Sequence, residues 1–93
     1  MAIKSIVEMK AKPGRRDELL STLQLMSAVD SPGFIAAEHY RNLEDEDTVI
    51  GIYDWESNEE RLAWSQSVDP GTRERLTQVL ATPMRVVLAD HIG

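Results

Sequence analysis

Few side chains in this 93-residue sequence could handle a proton. His39, in the alternating stretch "AEHYR", is the best-placed general base, because an unperturbed imidazole changes charge near neutral pH. If that stretch is extended, Ile35 and Ala37 share its face, and Glu38 and Tyr40 point the other way. Tyr53, in "TVIGIYDW", shares a strand face with Val49, Gly51 and Trp55, and its phenol could hydrogen-bond a hydroxyl or a quinone oxygen. Arg85, in "MRVVLADHI", could pair with an enolate oxygen or with one of the many acids. Together these groups could remove a proton and hold the anion that results. Each also has a plainer reading: a hydrogen-bonded strand histidine, a tyrosine in a sheet interface, an ion pair. His91, in "ADHIG", is the weaker histidine for chemistry, since it falls near a strand end.

Both tryptophans lie in "WESNEERLAW". Ser57 followed by Glu60 is a capping box, which starts a helix at Ser57. Trp55 therefore closes a strand and Trp64 rides on the helix. On a helical wheel Trp64 lies roughly 160° from Leu62, so the two cannot both enter one core stripe. In one reading Trp64 is core and Leu62 is a stray exposed apolar group. In the other, Trp64 joins Arg61 and Val68 as the wall of a cleft against the sheet. There an indole offers a flat apolar face and one N–H donor, which suits a small aromatic or quinone-like molecule. Trp55 is expected to be structural, covering the strand–helix junction.

The elements that would position these groups are legible. "MAIKSIVEMKA" alternates Ile3, Ser5, Val7, Met9 and Ala11 against Lys4, Ile6, Glu8 and Lys10, as a half-buried strand does. "KPG" turns the chain. Leu19, Leu20, Leu23 and Met26 then recur at helical spacing, with Asp17 and Glu18 in the first turn, where they suit the helix dipole. "DSPG" breaks that helix, "FIAAEHYRN" is a second strand, "EDED" a solvated hairpin tip and "TVIGIYDW" a third strand. The second helix runs to "VDPG", where Asp69 can cap a third with Pro70 at its first position. Leu76, Val79 and Leu80 form that helix's apolar stripe, and "MRVVLADHI" is the last strand. The order β-α-β-β-α-α-β predicts an α+β ferredoxin-like layer: an antiparallel four-stranded sheet with helices on one face. Its second face carries apolar groups that one copy cannot cover, which predicts a homodimer.

Composition narrows the function. The length fits one domain, residues 1–93. No cysteine is present, which removes disulfides, thiolate catalysis and Cys-ligated metals. The first residues alternate and carry charge, unlike a signal peptide. No apolar run approaches the roughly 20 residues of a membrane span, so a cytoplasmic protein is expected. The net charge of −6 opposes nucleic acid and anionic lipid. "EDED" lacks the spaced ligands and glycine of a calcium loop. A phosphate loop, a nucleophile elbow, H-E-x-x-H and a Cys/His set are all missing, so no metal, flavin or dinucleotide is expected.

"KPGRRDELL" opening the first helix, "SPGF" before the second strand, and "YRNLEDEDTVIGIYDWES" across the hairpin together resemble the antibiotic biosynthesis monooxygenase domain family. The resemblance spans nearly the whole chain. It implies a dimer whose two sheets form an α+β barrel, and a cofactor-independent monooxygenase that oxidises an electron-rich aromatic, polyketide or quinol substrate with O2. His39 would then be the base, Tyr53 or Arg85 the oxyanion partner, and Trp64 the aromatic wall, a place where several members carry Trp. A non-catalytic dimeric ligand-binding domain is the alternative. Arg61, where members often have an apolar or aromatic residue, and Pro70, where an aromatic is common, lean towards it. Haem binding or degradation fits least. That branch has an asparagine near the position of Val7 and a ligating histidine after the Trp, where this chain has Arg73, Glu74 and Arg75.

Overall fold

Strict alternation makes β1 (Ile3–Lys10) a two-faced strand: Ser5, Val7 and Met9 are buried, and Lys4, Glu8 and Lys10 are exposed. The computed structural model describes residues 2–92. The chain continues through α1 (Arg16–Leu25), β2 (Phe34–Arg41), β3 (Thr48–Trp55), α2 (Asn58–Ser67), α3 (Pro70–Val79) and β4 (Arg85–Ala89). The sheet runs β2-β3-β1-β4 with every neighbouring pair antiparallel, the ferredoxin-like order. β4 is shorter than the sequence suggests: Met84 precedes it, and Asp90, His91 and Ile92 lie beyond its last ladder pair.

The helix ends follow the local chemistry. Asp17 and Glu18 occupy the first turn of α1. At α2 the Glu60 N–H donates to Ser57 Oγ at 3.2 Å. The Ser57 hydroxyl in turn donates to Glu60 Oε1 at 3.1 Å, so the carboxylate closes the cap through the side chain. Asp69 accepts from the Thr72 N–H, with Pro70 in the first turn of α3. Gly33 adopts φ +80°, which only a residue without Cβ takes easily. The space a side chain would need there is filled by the Glu60 carboxylate. The Gly33 carbonyl accepts from the Glu56 N–H at 2.8 Å, which fastens the entry of α2 to the start of β2.

The core lies towards one end of the sheet. Val7, Met9, Ala11 and Val49 pack there against Leu19 of α1 and Leu76 and Val79 of α3. α1 and α3 pack on each other, whereas α2 is supported mainly by β3 and has no buried residue. A helix layer closed at one end and propped open at the other leaves room between α2 and the sheet.

Among the described residues no helix covers the opposite face. Ile6, Ile50 and Ile52 are half-buried there, beside the 45% exposed Val87. Lys4 pairs with Asp54 at 2.7 Å on the same surface. No helix of the described residues is long and apolar enough to cross a membrane.

Candidate active site

The room beneath α2 is a cavity of about 750 Å³, within the range of roughly 300–1,000 Å³ usual for small-molecule sites. His39 and Tyr53 meet on its sheet side, with His39 Nε2 2.9 Å from Tyr53 Oη and the rings edge to face. Their meeting follows from strand register. His39 of β2 stands opposite Gly51 of β3, two residues before Tyr53 on the same face. A Cβ at position 51 would lie 2.5 Å from Tyr53 Oη and 2.7 Å from its ring. With hydrogen there instead, the phenol lies across Gly51 and reaches the imidazole. The glycine is thus a site of close approach within a strand.

Burial sets both protonation states. Desolvation pushes the Tyr53 hydroxyl up to about 12, so it stays a neutral O–H donor. Desolvation also lowers His39 below the ordinary histidine value of 6.5, which favours the neutral imidazole. A neutral imidazole is therefore held against a neutral phenol at physiological pH, and in the Nδ1–H tautomer Nε2 accepts the Tyr53 O–H.

Aromatic rings close one side. Trp55 is 1% exposed and meets Phe34 edge-on, with centroids 5.5 Å apart. Trp64 lies 5.7 Å from Trp55, tilted by 40°. It is half-buried and also borders a smaller cavity of about 190 Å³ on its far side. Trp64 is thus a partition between two spaces, while Leu62 is 44% exposed on the outer surface of α2. Arg61 and Val68 line the larger cavity beside Trp64. Among the described residues no cluster of three or more His, Asp or Glu side chains is arranged to hold a metal ion.

The profile of the antibiotic biosynthesis monooxygenases matches residues 2–69, from β1 to the end of α2. The chain belongs to that family. Solved structures agree with its fold. A candidate antibiotic biosynthesis monooxygenase from Bordetella bronchiseptica superposes with a TM-score of 0.83 at 19% identity, covering 99% of this chain and 98% of that one. Rv0793 from Mycobacterium tuberculosis gives 0.84 at 14% identity, covering 100% and 97%. SnoaB, a cofactor-independent oxygenase from Streptomyces nogalater, gives 0.80 at 14% identity, covering 99% and 94%. A comparison with curated proteins gives no match.

Strand register places two residues differently from what the sequence suggests. Arg85 does not join His39 and Tyr53. It pairs in register with Glu8, whose side chain points away from the helices, so period-two alternation puts Arg85 on the uncovered face. Ile35 does not share the face of His39, because a bulge between Phe34 and Ala36 resets the alternation. Phe34, Ala37 and His39 line the cavity, and Ile35 is 51% exposed. His91 lies exposed beyond β4.

Sequence reasoning missed two contributors. Gly51 was signalled only by being a glycine within a strand. Arg73 lines the cavity from α3, three residues before the buried Leu76, and that helical spacing was its signal.

Proposed function

We propose that this protein is a cofactor-independent monooxygenase that oxidises an electron-rich phenol, or its enol-type equivalent, with O2. The observation that carries the reading is the 2.9 Å contact between His39 Nε2 and Tyr53 Oη inside an aromatic-walled cavity.

A substrate hydroxyl placed on Tyr53 can pass its proton to the phenol oxygen while the Tyr53 proton moves to His39 Nε2. Tyr53 is then neutral again, and its O–H donates to the new oxyanion. The imidazolium behind it adds a compensating charge. The aryloxide gives one electron to O2. The resulting radical and superoxide combine into a peroxide at ring carbon. Cleavage of the O–O bond leaves one oxygen on carbon as a carbonyl, and the other departs as water with the two hydrogens the substrate has lost. A phenol with a free para C–H plus O2 thus becomes a para-quinone plus water. Trp64, with Phe34 beyond Trp55, supplies apolar surface for the ring and keeps water from the anion.

The reading includes a homodimer. The uncovered face of the sheet carries a stripe of isoleucines, and a second sheet laid on it would bury both stripes.

The test is oxygen uptake with anthrone, read against quinone absorbance. One O2 should be consumed per anthraquinone formed. His39→Ala and Tyr53→Phe should each lower turnover about 10²-fold, a common contribution of a positioned acid or base. Saturable anthrone binding without oxygen uptake would replace the enzyme by a ligand-binding domain.

A further inference from the structure

Two arginines line the cavity from the helix layer, the half-buried Arg61 on α2 and the exposed Arg73 on α3. The protein carries a net charge of −6, yet only one carboxylate, Glu74, joins them on the lining. Among the described residues no carboxylate lies within ion-pair distance of either guanidinium, although Lys4, Lys10 and Arg15 each find an acid. Arg61 spends only its Nε–H, on Asn58 Oδ1 at 2.8 Å, and its terminal nitrogens have no acceptor among the described residues. Arg73 has no side-chain hydrogen bond within the protein among the described residues. A fork of unused N–H donors fits the geometry of a carboxylate. The rest of the lining is largely apolar and aromatic, and the proton-handling pair sits on the sheet side of the same space.

We propose that the natural ligand is an aromatic carboxylic acid, whose carboxylate is held by Arg61 and Arg73 while its hydroxylated ring lies over His39 and Tyr53. This rests on the oxygenase reading for the role of the ring and adds the anionic group. The arginines serve binding and orientation: they fix one end of the ligand, so that one ring position faces the pair. They also offset the repulsion that an acidic protein exerts on an anion. Arg73 lies outside the residues matched by the family profile, so this half of the clamp belongs to the chain's own α3.

The test compares anthraquinone-2-carboxylate with its methyl ester, titrated by quenching of tryptophan fluorescence. The acid should bind at least about tenfold more tightly than the ester. That preference should shrink between about 50 and 500 mM salt, as screening weakens charge pairing. Arg61→Gln/Arg73→Gln should bring the acid-to-ester ratio close to one, whereas Arg61→Lys/Arg73→Lys should keep part of it. Lys12→Gln/Arg16→Gln removes as much positive charge away from the cavity and should keep the full ratio. Equal binding of acid and ester by the unaltered protein would overturn the carboxylate proposal and leave the oxygenase reading standing. So would a preference that survives the glutamine pair. No binding of either probe would sink both.

Discussion

Gly51→Ala separates His39 from Tyr53 without altering either residue. The new methyl would lie 2.5 Å from Tyr53 Oη and 2.7 Å from Cε2 and Cζ, where ordinary contact begins at 3.4 Å. Tyr53 must therefore withdraw by about 1 Å, which breaks a hydrogen bond now 2.9 Å long. The lost bond costs roughly 0.5–1.5 kcal/mol. An off-rotamer phenol costs a similar amount. Replacing glycine within a strand returns about 0.5 kcal/mol. The net expectation is about 1–2 kcal/mol, measured by urea unfolding followed by circular dichroism at one fixed protomer concentration. Turnover should fall about 10²-fold, because the proton relay is cut while the cavity remains. In a Tyr53→Phe background no hydrogen bond is left to break. Adding Gly51→Ala should then lower turnover little further, the non-additivity expected of residues acting as one unit. A Gly51→Ala protein with unchanged stability and unchanged turnover would refute the argument, since the contact would then place no constraint on the pair.

Trp55→Ala should cost roughly 3–5 kcal/mol as a fully buried aromatic, and Trp64→Ala only about 1–2 kcal/mol, because its ring already borders open space; equal losses in urea melts would make Trp64 ordinary core. Tyr53 should make stability fall at high pH. The unfolded phenol ionises near 10.0 and the folded one near 12, so stability is intact below pH 10 and lost progressively towards pH 12, by up to about 2–3 kcal/mol. Tyr53→Phe should remove that loss, and an unchanged alkaline limb would mean the phenol is not desolvated. Turnover should fall on acidification only below the ordinary histidine value of 6.5, because His39 must be neutral to accept a proton and its burial lowers its pKa. An inflection above 6.5 in kcat/KM would exclude His39 as the base. Light scattering at micromolar concentration should give about twice the chain mass, and a monomer at all concentrations would leave the isoleucine stripe uncovered.

The elements were legible before any tertiary contact was known, because their causes are local. Alternation in "MAIKSIVEMKA" is a period-two signal that needs no partner to be read. Ser57 with Glu60, and Asp69 with Pro70, fixed two helix starts through hydrogen bonds within a single turn. The helical wheel also separated Trp64 from Leu62, and the two do face different ways. Facts that depend on distant partners were not legible. The bulge at the start of β2 arises from its register with β3, and it exchanged Phe34 for Ile35 on the face of His39. Arg85 reads as a cation on a strand, but only its pairing with Glu8 tells which face that cation occupies. Gly51 is one glycine among five until β2 lays His39 opposite it, and only then does its missing side chain become the space that lets a phenol meet an imidazole. Backbone periodicity is written within the chain, whereas the meeting of His39 with Tyr53, or the placing of Arg61 and Arg73 on the lining of one cavity, is a property of how separate elements pack.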